Sequence, residues 1–316
     1  MSADLAMIRA HIEAQAPPPP RLNPITLADF IAMKIPAREH VMGPWLPMQG
    51  LAMLYAPRGV GKTYMSLSIA YNAAAGQPFL RWTVPQPRRV LFVDGEMPGH
   101  ALQERLVRIA DQADGEPPGP DYFRLIANDL HPDGIPDLAT EVGQAALTAA
   151  LGDAELVVLD NLSTLCRTGR ENESESWGLV QEYLLGLRRE GRAVLLVHHA
   201  GKGGAQRGTS RREDVLDTVI NLKRPDDYRA SEGARFQVSF EKSRGFTGKE
   251  AETFEAALDP VTGIWTCRDL EDVRDARIID LAGDGLDQKE IAAELGVHKS
   301  TISRAFARLK AEGRIA

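Results

Sequence analysis

Between about residues 41 and 268 the chain alternates two kinds of apolar pattern. Short continuous runs recur: "LAMLYA" at 51–56, "RRVLFVDGE" at 88–96, "ELVVLDNLS" at 155–163 and "RAVLLVHHA" at 192–200. Their length and Val/Leu content predict strands buried on both faces. Stretches such as "TYMSLSIAYNAAAG" (63–76), "HALQERLVRIADQA" (100–113) and "WGLVQEYLLGLRREG" (177–191) carry apolar residues at helical spacing. Buried strands separated by covering helices predict an α/β fold with a mostly parallel sheet. Later runs, "DTVINLKR", "RFQVSFEKSR" and "ETFEAALD", have less helix between them and predict an antiparallel extension at the sheet edge.

Two further segments flank this core. Residues 1–40 read as an arm or linker: "MIRAHIEAQA" is amphipathic, and "APPPP" at 16–20 is a stiff extended spacer. A free tail and a docking arm for a neighbouring subunit both fit. Residues 269–316 are helical and read as a small all-α, winged-helix-like module. In "LDQKEIAAELGVHKSTISRAFARLKAEGRIA", Ala292, Gly296, Val297 and Ile302 have helix-turn-helix spacing. Gly296 permits the tight turn, and Ile291, Leu295 and Ile302 are expected to pack the helices together. Lys299, Ser300, Thr301, Ser303 and Arg304 are expected to face outward. Basic residues outnumber acidic ones from Gln288 onward, which suits DNA; the same spacing also serves protein contacts.

Composition narrows the picture. The 316 residues are 43% hydrophobic, enough for a large core with appendages. Cys166 and Cys267, the only cysteines, lack metal-ligand spacing and suit a reducing compartment, hence a cytoplasmic location. No run predicts a membrane span or a signal peptide. The formal net charge of -7 excludes a globally basic nucleic-acid coat, so any such contact must be local.

The chemistry concentrates at the ends of the predicted strands. "APRGVGKTY", from Ala56 through Pro57, Arg58, Gly59, Val60, Gly61, Lys62 and Thr63 to Tyr64, joins a strand to a helix. Gly59 and Gly61 let backbone N–H groups converge on an anion, and the helix N-terminus favours negative charge. Lys62 supplies charge for β- and γ-phosphates, and the Thr63 hydroxyl suits Mg²⁺. Asp160, after four apolar residues, is placed to stand beside the metal. Asp94 and Glu96 end another strand, and either could deprotonate an attacking water. His198 and His199 end a third and suit sensing of a γ-phosphate; with no further His/Cys cluster, metal binding fits them less well.

Two basic stretches follow. "KGGAQRGTSRR" carries Lys202, Arg207, Arg211 and Arg212 on a glycine-rich loop, a pattern suited to gripping the phosphates of single-stranded DNA or to a plain surface connector. "FEKSRGFTG" spaces Lys242 and Arg244 so that both point one way, as charge-stabilising fingers toward another subunit's phosphate or as an exposed edge pair.

Together "APRGVGKT", "VLFVDGEMP", "LVVLDNLSTL" and "LLVHHAGKGG" with "RGTS" resemble the RecA-like P-loop ATPases, in particular the hexameric plasmid replication helicases of the RepA type. The resemblance spans roughly 41–255. It implies ATP and Mg²⁺ as cofactors, a homo-hexamer, DNA as partner, and ATP hydrolysis coupled to unwinding. It matches the catalytic base to Glu96 in preference to Asp94, the strand-end metal ligand to Asp160, and the γ-phosphate sensor to the His pair. "EKSRGFTG" is more similar to the paired Lys and Arg of the DnaB branch, and Arg105 falls where the family has an arginine near the site. The C-terminal helix-turn-helix departs from the minimal family member. It leaves open an ATP-switched DNA-binding regulator, and a RecA-type recombination ATPase stands as a third reading.

Overall fold

The computed structural model describes residues 22–167, 174–200 and 214–315. The chain divides into two units between Ala37 and Arg38. In the first, helix α1 (Leu27–Ala32) starts where the Thr26 hydroxyl accepts the Asp29 N–H at 3.1 Å. None of its side chains is buried, and Leu27, Phe30 and Ile31 are all exposed. The amphipathic and polyproline stretches read in the sequence before it lie outside the described residues.

The second unit opens with a short antiparallel pair, β1 (His40–Met42) and β2 (Leu46–Pro47), which seats Trp45 against Trp82. It continues as β3 (Leu51–Ala56), α2 (Lys62–Ala75), β4 (Val90–Asp94), α3 (Gly99–Gln112), β5 (Phe123–Ala127), α4 (Glu141–Leu151), β6 (Leu156–Asp160), α5 (Leu162–Leu165), α6 (Ser174–Arg189) and β7 (Ala193–His199). After it come β8 (Thr218–Lys223), β9 (Arg235–Ser243), β10 (Phe254–Leu258) and β11 (Trp265–Asp269). Among the described residues these build a nine-stranded sheet in the order β11-β10-β9-β8-β3-β7-β6-β4-β5. From β8 to β5 all neighbours are parallel, and β9, β10 and β11 extend the sheet antiparallel.

The parallel part exists because its strands are apolar on both sides. Every residue of β3, β4, β6 and β7 is buried. One set of alternating side chains (Leu54, Phe92, Val158, Leu195) packs on α2 and α3. The other set (Met53, Leu91, Val157, Leu196) packs on α4 and α6. Each such Leu or Val stabilises the fold by about 1.5–3 kcal/mol relative to exposure. Helix α2 approaches the sheet closely because it buries small residues, Ser66, Ala70, Ala73 and Ala74. It stops, as its sequence predicts, at Gly76 with φ 71°.

The C-terminal helices α7 (Leu270–Gly283), α8 (Gln288–Glu294) and α9 (Lys299–Ala311) have a core of their own, built from Ile278, Leu281, Ile291, Ile302 and Leu309. Gly296 makes the α8–α9 turn with φ 63°. The described part of the module is these three helices, and no strand follows α9 among the described residues.

Candidate functional site

Parallel strands place all their carboxyl ends on one edge, where doubly wound sheets bind ligands. Register brings Ala56 beside His199 and Asp94 beside Asp160 at that edge. The loop from Ala56 to Lys62 wraps over it. Gly61 has φ 121°, and a Cβ there would lie 3.0 Å from the Ala234 Cβ and 3.3 Å from the Phe236 ring, so only glycine lets the loop pack this close to β9. Val60 is buried beneath the loop, whereas Arg58 is exposed at its tip.

Lys62 is buried, and its Nζ donates to the carbonyls of Ala56 (3.0 Å) and Pro57 (2.9 Å). Burial pulls its pKa down to about 8, against the attraction of Asp160 and Glu96. Asp160 is fully enclosed and accepts the Ser66 hydroxyl at 2.9 Å. Burial pushes its pKa up to about 7, Asp94 adds repulsion, and hydrogen bonds from Ser66 and Thr63 oppose the rise. The two acids of β4 have different places. Asp94 is buried, and its Oδ1 accepts the N–H groups of Glu96 (2.9 Å) and Met97 (2.6 Å), which fixes the turn. Glu96 is exposed on that turn. Its Oε2 accepts a hydrogen bond from Asn161 and lies 3.4 Å from His199 Nε2. Burial lowers the His199 pKa and the Lys62 charge lowers it further, so the ring is held toward its neutral form.

Lys62, Thr63, Asp160, Glu96 and His199 are thus one cluster. The structure separates His198 from it. Successive strand residues face opposite sides, and His198 shares the side of Leu196, under α4 and α6. The two histidines read as a pair do not meet at one place. Arg105 lies 5.7 Å from the Tyr64 ring and donates to Met97 Sδ at 3.2 Å, beside the start of α2 rather than over the loop. Lys242 and Arg244 lie farther off. Antiparallel pairing sets Ser243 against Thr218, the amino end of β8, so both residues sit near the edge opposite the loop. Their side chains meet at the Asp214 carbonyl, at 3.5 and 3.3 Å. Lys202, Arg207, Arg211 and Arg212 lie outside the described residues.

In the C-terminal module Lys299, Ser300, Ser303 and Arg304 are exposed on α9, as expected, and Thr301 is half-buried. His298, not singled out from the sequence, caps α9 by accepting the Ser300 N–H at 3.2 Å. The sequence reading also missed Ser66, Asn161 and Arg224. Arg224 donates to the Gly59 carbonyl at 2.7 Å and stacks 4.1 Å from Tyr228. A signal for it existed: it is the first residue after β8 at the carboxyl edge.

A glycine loop between a buried strand and a helix, at the carboxyl edge of this sheet, defines a RecA-like P-loop ATPase. Residues 16–205 match the AAA domain family, and the chain belongs to that family. Residues 272–316 match the homeodomain-like domain family, in keeping with the helix-turn-helix. No curated protein matches the chain. Among solved structures it is similar in fold to a KaiC-like protein from the hyperthermophilic archaeon Pyrococcus horikoshii OT3, at 13% identity and a TM-score of 0.50, over 73% of this chain and 99% of that one. No described helix is long and apolar enough to cross a membrane.

Proposed function

We propose that the chain is a ring-forming DNA motor driven by ATP hydrolysis, of the RepA replicative helicase type and serving a plasmid or mobile element. The observation that carries the enzymatic part is the meeting of Lys62, Asp160, Glu96 and His199 at one sheet edge. In this reading the loop N–H groups and Lys62 hold the β- and γ-phosphates. Glu96 takes a proton from a water whose oxygen attacks the γ-phosphorus, and ADP leaves. His199 hydrogen-bonds a γ-phosphate oxygen. Arg224 and Tyr228 border the loop where the rest of the nucleotide would lie. Lys242 and Arg244, far from their own loop, would act on a neighbour's phosphate.

The residues present fit Mg²⁺. Asp94 and Asp160 crowd two buried carboxylates together, and Asp94 Oδ2 is buried with no hydrogen-bond partner. Thr63 and Asp160 would hold the ion, which when bound neutralises charge on the phosphate oxygens.

Lys62→Ala is expected to weaken ATP binding about 10- to 100-fold, the equivalent of losing charge-assisted hydrogen bonds, and to abolish turnover while the melting temperature holds. Undiminished turnover in the purified variant would refute the phosphate role of the loop.

DNA is the partner we infer, through the exposed face of α9 and the basic stretch 202–212. Deleting residues 270–316 is expected to leave DNA-stimulated ATP turnover in place and weaken duplex binding, because those helices have a separate core. A truncated chain that is folded by circular dichroism yet inactive would contradict this. The same helices favour a second reading, an ATP-switched DNA-binding regulator. Assay of a forked duplex separates the two: ATP-dependent strand separation supports the motor. ATP turnover without unwinding, joined to ATP-dependent duplex affinity, supports the regulator.

A further inference from the structure

We propose that Asn161 is a positioning residue, holding the Glu96 carboxylate and the His199 imidazole in one arrangement for hydrolysis. The proposal rests on the reading of Glu96 as the base. Asn161 follows Asp160 at the end of β6 and is 1% exposed. Its Oδ1 accepts the Ser163 N–H at 3.0 Å and caps α5. An amide oxygen accepts and an amide nitrogen donates, so this cap decides which end of the side chain faces which way. Oδ1 turns to the helix, and Nδ2 turns to the site.

There Nδ2 donates to Glu96 Oε2 and lies 3.3 Å from His199 Nε2. The same Oε2 is 3.4 Å from Nε2. Three strand ends, those of β4, β6 and β7, therefore converge through one buried amide. One amide hydrogen serves the carboxylate, and the other faces Nε2 and is accepted there in the tautomer that carries its proton on Nδ1.

The simpler account is that Asn161 is a helix cap and nothing more. Asp, Ser and Thr cap as well as Asn does. Of these four, only Asn caps with its oxygen while offering N–H donors in the other direction. Glu96 needs such a donor. It is a long side chain on an exposed turn, and the N–H groups of Glu96 and Met97 in that turn are taken by Asp94. With Oε2 held, Oε1 is left for the water, in a fixed direction. Base catalysis depends on that alignment more than on the presence of the carboxylate alone.

Asn161→Asp keeps an acceptor for the cap and has no donor, and Asn161→Ser keeps the acceptor and exchanges the amide N–H donors for one shorter hydroxyl. Both are expected to lower kcat about 10-fold or more. Asn161→Asp sets a further acid beside Asp160 and Glu96 and is read per folded molecule; for Asn161→Ser the KM for ATP is expected to stay within about three-fold and melting to be unchanged, because neither phosphate binding nor the cap is touched. Nucleotide affinity, measured with a fluorescent ATP analogue, is expected to match the parent protein. In a Glu96→Gln background, Asn161→Ser is expected to cost little further turnover in a single-turnover assay, since the group it positions has already lost its function.

Wild-type kcat in Asn161→Ser overturns the proposal. Equal losses in the presence and absence of Glu96 overturn it as well, because Asn161 would then act independently of the base. Lower melting temperatures in both variants, with activity lost in proportion to folded protein, would assign Asn161 to the cap alone and overturn it. Full turnover by Glu96→Gln is a different result: it removes the base assignment, and this proposal with it.

Discussion

Glu96→Gln is expected to bind ATP with parental affinity and to hydrolyse it on the order of 10²–10⁴ times more slowly. The amide preserves the size of the side chain and the geometry of the turn, but it cannot take the water's proton. Asp94→Asn is expected to be much milder. Asp94 is buried, and its Oδ1 already accepts two backbone N–H groups. An asparagine oxygen can accept the same two bonds, so the turn carrying Glu96 is kept. ATP binding by fluorescence and turnover by phosphate release check both variants. A dead Asp94→Asn beside an active Glu96→Gln would transfer the role of base to Asp94.

Arg244→Ala is expected to bind ATP and to lose on the order of 10³ or more in turnover, with the defect acting between subunits. Distance decides between cis and trans. Lys223, at the loop end of β8, pairs with Gln237, and Arg244 lies seven residues farther along the chain. At about 3.3 Å per residue the separation is roughly 20 Å, beyond the reach of an arginine side chain. A γ-phosphate within reach of Arg244 would therefore have to be bound at another copy's loop. Mixing Arg244→Ala with Lys62→Ala subunits, each inactive alone, creates some interfaces with an intact loop and an intact arginine. Partial return of activity is expected. A mixture that assembles and stays dead, or an Arg244→Ala protein that is fully active alone, rules out the finger role for this arginine.

Much of this architecture is legible in the chain because its central strands are apolar on both faces. Continuous runs ending in Ala56, Asp94, Asp160 and His199 mark four neighbouring strands of the sheet. Two strands escape that reading for the opposite reason. β5 lies at one edge and is only half-buried over most of its length, and β11 lies at the other and is largely exposed. Neither needs a continuous apolar run. The P-loop is local in sequence and so appears in a motif. The distinction between Asp94 and Glu96 depends on which backbone N–H groups a carboxylate accepts, and two acids two residues apart do not announce it. The two adjacent histidines are separated by strand alternation, which acts on any consecutive pair in an extended chain. Asn161 is found only once distant strand ends are assembled.

Lys62 does not stand with a bare charge at the mouth of the loop. Its ammonium is already engaged by the carbonyls of Ala56 and Pro57. Two of its three N–H donors are taken, so an arriving anion meets one at once and gains the others only by displacing the carbonyls, and full capture is an exchange of partners. A lone chloride or orthophosphate offers little in return for two internal bonds. A polyphosphate tail, meeting several loop N–H groups at once, offers more. The loop can therefore discriminate by the length of the anion and not only by its charge. Its grip on nucleotide is expected to be less sensitive to simple salt than that of a solvent-exposed lysine, whose charge ions in solution screen directly.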